Sequence, residues 1–74
     1  MEECSQLAQQ LYRSITQAPI MTLPLRQAAG LVTRRDRGRF DRALQELQTT
    51  FNIARSRASD EWEIWVPFHE EYPL

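Results

Sequence analysis

The chain has 74 residues, of which 42% are hydrophobic, and its nine Arg against ten acidic residues give a formal net charge of −1. This length allows one small domain and excludes a multidomain enzyme with its own cofactor fold, while the apolar content argues against disorder. Cys4 is the sole cysteine, so no intrachain disulfide can form. The sequence has no zinc-type Cys/His spacing, no membrane-length apolar stretch and no secretory signal pattern. We therefore expect a cytoplasmic protein without metal or cofactor.

The first helix is predicted over residues 3–17. Leu7, Leu11 and Ile15 recur at helical spacing and leave the glutamines of this segment outside. Pro19 disfavours helical geometry at the residue before it, so the helix is expected to end there.

A short extended piece, Ile20–Thr22, is expected next, followed by a second helix over residues 23–29. Thr22 is a suitable cap, and Pro24 is tolerated in a first turn. Gly30 suits the left-handed position that ends many helices.

The third helix carries the clearest apolar stripe, with members at i, i+4, i+7 and i+11. Thr33 and Asp36 resemble a capping box at its start. Gly38 lies early in this helix, where glycine costs roughly 1 kcal/mol relative to alanine. We therefore expect either a frayed helix or the close approach of another backbone there. The stripe consists of Phe40, Leu44, Leu47 and Phe51.

The last third of the chain predicts a β-hairpin. Residues 51–57 and 62–68 are rich in strand formers, and a polar loop over 58–61 separates them. Trp62 and Trp65 would point to opposite faces of one strand, so one is expected in the core and the other at the surface. Trp62, Ile64 and Val66 alternate along the second strand, and we expect the hairpin to cover the open side of the helices with Trp62 and Ile64, with Trp65 as a further candidate.

The order helix, short strand, short helix, long helix, hairpin is that of a winged helix-turn-helix domain. We predict an α+β fold of three helices plus a C-terminal β-hairpin, with Ile20–Thr22 as a third strand. A plain three-helix bundle is the alternative, which the β-branched and aromatic residues of 62–68 oppose. The single domain, 1–74, divides into helix 1 (1–18), the helix-turn-helix (19–50), the wing hairpin (51–68) and an acidic tail (69–74).

Two segments, GRFDRALQELQ at 38–48 and PFHEEYP at 67–73, carry a resemblance. They resemble winged-helix segments of bacterial proteins related to the AlkZ/YcaQ-type DNA glycosylases, over roughly residues 22–73. The resemblance implies a DNA-repair or transcription-regulating context. Those glycosylases use a Gln-x-Gln catalytic motif that does not occur here. The resemblance therefore implies a non-catalytic module, and we predict that the chain is not an enzyme.

Charge is strongly segregated along the chain. Residues 26–57 contain eight Arg and three acidic residues, whereas residues 58–74 contain five acidic residues and no Arg. Since the third helix of a helix-turn-helix enters the major groove, the basic segment predicts binding to double-stranded DNA. The expected groove contacts are Arg35, Arg39, Arg42 and Gln45, and the expected phosphate contacts are Arg34, Arg37, Arg55 and Arg57.

Two alternatives stay open. The arginines of the helix could form a solvated face, with Arg39 or Arg42 in intrahelical pairs such as Arg42–Glu46. The acidic loop residues Asp60 and Glu61 oppose wing insertion. The acidic tail, Trp65 and the small size favour a protein-interaction or structural module of a larger DNA-repair or regulatory protein, with a protein partner or a homodimer. In the hairpin, the alternative pairs Arg55 and Arg57 with Glu61 and Glu63.

Overall fold

The computed structural model describes residues 4–58 and 62–73. These residues form four helices and one three-stranded antiparallel sheet, which confirms the α+β class. None of these helices is long and apolar enough to span a bilayer. The elements are α1 (Gln6–Gln17), β1 (Ile20–Met21), α2 (Thr22–Ala28), α3 (Asp36–Thr49), β2 (Ile53–Arg55), β3 (Ile64–Pro67) and α4 (Phe68–Glu71).

Helix α1 begins later than its periodicity indicates. Ser5 is the N-cap, and its hydroxyl accepts a hydrogen bond from the Ala8 N–H at 3.2 Å. The helix ends before Ala18, whose backbone is extended because Pro19 follows it. Its buried face is Ala8, Leu11 and Ile15.

A Schellman turn joins α2 to the segment before α3. The Leu31 N–H donates to the Arg26 carbonyl at 2.9 Å, and the Gly30 N–H donates to the Gln27 carbonyl at 3.1 Å. Gly30 has a φ of 72°, as predicted, because this turn requires the left-handed region. The Arg26 guanidinium donates to the Leu31 carbonyl and lies over the Phe40 ring at 5.9 Å. These contacts help to hold α3 in place against α2.

Thr22 does not cap α2, contrary to the prediction. The helix begins at Thr22 itself, and Met21 precedes it without a side-chain capping bond. The Thr22 hydroxyl instead accepts from the Trp65 indole N–H at 3.0 Å and donates to the Glu63 carboxylate at 3.1 Å. The hydroxyl thus connects the first turn of α2 to the β3 end of the hairpin.

The start of α3 differs from a capping box. The Thr33 hydroxyl donates to the Asp36 carboxylate at 2.7 Å, so the side chains meet as expected, but the hydroxyl caps no backbone N–H. The helix begins at Asp36, after Arg35, which already has helical angles (φ −63°, ψ −34°).

Phe51 lies outside the apolar stripe, so its predicted burial is wrong. The helix ends at Thr49, and a second Schellman turn follows, in which the Asn52 N–H donates to the Leu47 carbonyl at 2.9 Å. Phe51 takes the left-handed position with a φ of 59°, which turns its ring out of the core. The ring is 70% exposed and packs edge-on against Phe68, with 5.4 Å between centroids.

The three strands are ordered β1-β3-β2, so β3 is central. Ile20 of β1 and Arg55 of β2 both lie opposite Trp65. The predicted third strand is therefore confirmed, although β2 and β3 are shorter than the runs that predicted them. Most of the predicted loop, residues 59–61, lies outside the described residues.

The core forms where α1, α2 and α3 meet the sheet. Trp65 is 3% exposed and belongs to this core, whereas Trp62 is 59% exposed. The prediction that Trp62 faces inward is wrong because β3 begins at Ile64, so strand alternation does not reach Trp62. The largest fully buried side chains are Phe40, Leu11, Ile15, Leu25, Leu47 and Ile53.

The predicted acidic tail begins with a helical turn, α4, that sequence analysis did not anticipate. The Tyr72 ring lies 4.9 Å from the Phe68 ring, which in turn packs against Phe51, so aromatic contacts link the tail to the end of α3.

Candidate nucleic-acid interface

Helix α3 has one buried face and one exposed face. Gln45 and Arg42 lie on the side opposite the buried stripe, and both side chains are exposed. The buried stripe is Phe40, Ala43, Leu44 and Leu47. The helix therefore presents a polar, convex face to solvent while its apolar face anchors it in the core.

Three arginines form a stripe along one side of this exposed face. Arg35, Arg39 and Arg42 are spaced i, i+4 and i+7, and the helical angles at Arg35 extend the periodicity to it. All three are exposed. Arg39 and Arg42 border a groove of about 270 Å³ between α3 and the start of α1.

Arg37 lies on the other side of the helix, and Arg34 lies in the turn before it. Both are exposed. The predicted groove and phosphate residues of the helix are thus all at the surface, but they spread around α3 and do not form a single row.

The ion pairs on α3 are long and open to solvent. Arg37 lies 3.9 Å from Asp41, and Arg39 lies 3.8 Å from Asp36, with the arginine side chains 73% and 67% exposed. Such pairs contribute little, so they leave both guanidinium groups available to a stronger anion. The intrahelical pair expected for Arg39 or Arg42 is thus present for Arg39, with Asp36 as its partner.

The Arg42–Glu46 pair expected in that alternative does not form. Glu46 accepts a hydrogen bond from the Ser5 hydroxyl at 2.8 Å instead. Within residues 4–58 and 62–73, no carboxylate lies within 4.0 Å of Arg42 or of Arg34, Arg35 and Arg55.

Arg55 lies in a second groove, of about 440 Å³, between α3 and the hairpin. It shares this groove with Gln45 and with Gln48, an exposed side chain that sequence analysis did not select. Gln48 lies three residues after Gln45, and this spacing predicts that the two side chains are neighbours on the helix surface. Asp41 and Glu63 also line the groove, so this side of α3 is less basic than the Arg39–Arg42 side.

Arg57 is held by the C-terminal helix. Its Nε lies 2.9 Å from the Glu71 carboxylate, which also accepts the Arg57 backbone N–H at 2.8 Å. Its guanidinium also donates to the Glu71 carbonyl at 3.2 Å and lies 4.9 Å from the Tyr72 ring centroid. Of the alternative partners, Glu61 lies outside the described residues, and Glu63 accepts a hydrogen bond from the Thr22 hydroxyl.

The same contact makes the stability of the tail depend on pH. The Arg57 backbone N–H, then the Arg57 side-chain bond and charge, hold the pKa of Glu71 below its ordinary value of 4.5. A carboxyl whose pKa is lower in the folded chain than in the unfolded chain stabilises the fold at a pH above its unfolded pKa. This stability is lost as the pH falls through its folded pKa.

We therefore expect Glu71→Gln to lower the urea midpoint at pH 7, and we expect the difference from wild type to shrink once the pH drops below 4.5. Parallel urea titrations of both proteins from pH 7 to pH 3 measure this difference. Glu70→Gln, a neutralised and exposed neighbour, serves as the control and should shift the midpoint less. A gap for Glu71→Gln that stays constant over the whole range would contradict the assignment.

The described residues beside the basic face include no cluster of metal ligands. Among the described residues, no three His, Cys, Asp or Glu side chains lie close enough to hold a metal ion. His69 is exposed on α4, and Cys4 is buried beside Thr50 and Asn52.

Comparison with protein-family models, curated proteins and solved structures returned no match. The resemblance to winged-helix segments of the AlkZ/YcaQ-type glycosylases stays a prediction.

Proposed function

We propose that the chain is a non-catalytic winged-helix module that binds double-stranded DNA, with α3 in the major groove and the hairpin near the backbone. The observation that carries the proposal is the exposed face of α3, where Arg35, Arg39, Arg42 and Gln45 all reach solvent. The strand order β1-β3-β2 supports the winged-helix assignment, because the short strand before α2 joins the C-terminal hairpin.

The size of the helix suits the groove. An α-helix with its side chains is about 10–12 Å across, and the major groove of B-form DNA is about 12 Å wide. Arg42 and Gln45 lie opposite the buried stripe, so they would point most directly at the base edges. An arginine pairs best with guanine there, and a glutamine pairs best with adenine.

The remaining cations would position the helix on the phosphates. Arg34 lies in the turn before α3, and Arg37 lies in its first turn beside the groove-facing residues. Arg55 extends from the adjacent hairpin strand, β2. Arg57 is left out of the proposed contacts because Glu71 already holds its guanidinium.

The acidic side chains suggest an orientation. Asp41 and Glu63 line the same groove as Arg55, and they would weaken the attraction of Arg55 for a phosphate. On the other side, Arg39 and Arg42 border the groove next to α1 and outnumber Glu46, which also lines it. We expect the closest phosphates to lie on the Arg39–Arg42 side.

A salt titration tests the proposal. Log K for a B-form duplex falls with log salt with a slope of about −0.9 per phosphate contacted. About four contacts would therefore weaken binding by on the order of 100-fold between 50 and 200 mM salt. Fluorescence anisotropy with a labelled 16-base-pair DNA measures the slope. Absence of binding at 20 mM salt would end the proposal.

A duplex RNA of the same sequence is the matched ligand control. It carries the same phosphate charge, but its major groove is too deep and narrow for side chains to read. We expect weaker binding than to DNA if α3 enters the groove, and equal binding if the contact is only electrostatic.

A second candidate function rests on a different surface. Met21, Leu23 and Trp62 are 41%, 56% and 59% exposed, and with Pro24 they line an apolar groove of about 380 Å³. Exposed apolar patches of this kind often mark protein interfaces, so the groove favours the protein-interaction alternative. Sedimentation analysis distinguishes DNA binding from protein interaction. A self-associated form that persists in Arg39→Ala and Arg42→Ala would favour the protein-interaction function.

A further inference from the structure

Within the part of the chain that the structure describes, no contact requires glycine at position 38. A Cβ added at this position would meet no atom within 4 Å, and the residue lies in the first turns of α3 rather than in a left-handed turn. Glycine is disfavoured in a helix relative to alanine, so the chain accepts a weaker helix here without any packing benefit of its own. Helix α3 runs without a break from Asp36 to Thr49, and the predicted close approach of another backbone is not found among the described residues.

The neighbours of Gly38 are the proposed DNA contacts. Arg35 lies three residues before it, Arg42 lies four residues after it, and Gln45 lies seven residues after it. Residues at these spacings share one face of a helix, so Gly38 is in the middle of the exposed face. The missing side chain leaves a gap on that face, with long polar side chains on both sides of it.

We infer that Gly38 is the point where duplex DNA comes closest to α3. This inference rests on the proposed function. A sugar–phosphate backbone or a base edge can approach the helix axis at this residue by about the width of a methyl group more than it could at alanine. Arg35 and Arg42 would then reach their partners from the two sides of the gap. Gly38 acts as a positioning residue because it sets the depth of the helix in the groove and contributes no charge.

The experiment compares Gly38→Ala and Gly38→Leu with wild type. Both replacements favour the helix and meet no atom of the chain at Cβ, so the urea midpoints of the variants should equal or exceed that of wild type. The DNA dissociation constant should rise, by about 10-fold or more for Gly38→Ala and further for Gly38→Leu. Higher folding stability together with weaker binding is a result that a purely structural role for Gly38 does not produce.

The outcomes separate the inference from the proposed function. If wild type fails to bind duplex DNA at 20 mM salt, the proposed function is wrong and the inference is wrong with it. If wild type binds and both variants bind equally tightly, only the inference is wrong. If Gly38→Ala lowers the urea midpoint, glycine is required by the fold itself, and the inference is again overturned.

Discussion

Replacing Trp65 with alanine is expected to remove a large part of the folding stability of the chain. Trp65 is 3% exposed, lies on the central strand between β1 and β2, and donates its indole N–H to Thr22. Removing a buried tryptophan side chain typically costs about 3–5 kcal/mol. A chain of this length has a total stability of about 4–11 kcal/mol, so the loss would use up much of it.

Urea denaturation followed by far-UV circular dichroism measures this loss, and the chain offers a matched control. Trp62→Ala removes the same side chain from a position that is 59% exposed, so we expect a shift of less than about 1 kcal/mol. Trp65→Phe keeps a ring in the core but loses the hydrogen bond to Thr22, and it should fall between the two. Equal destabilisation by Trp65→Ala and Trp62→Ala would contradict the assignment of Trp65 as the core tryptophan.

The contrast between the two tryptophans shows that a sequence pattern does not predict where a strand begins. Alternation can place side chains on opposite faces only inside a strand, and pairing with β1 and β2 decides where that strand begins. Trp65 of β3 pairs with Ile20, which lies 45 positions earlier in the chain, and no local sequence pattern predicts that register. The helices were easier to predict, because their spacing and their terminal Pro19 and Gly30 are local signals.

Phe51 illustrates a second kind of failure. Its spacing fits the stripe of α3, but the Schellman turn after Thr49 places it in the left-handed region, where glycine is usual. Local propensity disfavours a bulky residue with positive φ, so no local pattern predicts this turn at Phe51. The edge-on packing against Phe68 is a tertiary contact that favours this arrangement.

The basic face was predictable in composition but not in detail. The surplus of arginine in residues 26–57 is visible in the sequence, and the helical period places Arg42 and Gln45 outward. The partner of Arg57 is not visible, because Glu71 reaches it only through the turn of α4. The distribution of the acidic residues between the two grooves likewise depends on how the hairpin packs beside α3.

The double variant Arg39→Gln and Arg42→Gln is expected to weaken DNA binding by about 30-fold or more at low salt. Each good arginine contact with a base edge contributes about 1–3 kcal/mol, and each lost phosphate contact flattens the salt slope by about 0.9. Both side chains are exposed and glutamine favours helices, so the urea midpoint should stay close to that of wild type. Anisotropy titrations at several salt concentrations give both the affinity and the slope.

Arg13→Glu provides a control matched in net charge. It changes the charge by the same two units, but Arg13 is exposed on α1, away from the buried stripe of that helix. Long-range attraction to DNA depends on the total charge, whereas contact depends on where the charges lie. A selective loss in the α3 double variant therefore requires that the Arg39–Arg42 side touches DNA. An equal loss of DNA affinity in Arg13→Glu would mean that the attraction depends on total charge, and it would contradict the placement of α3 in the major groove.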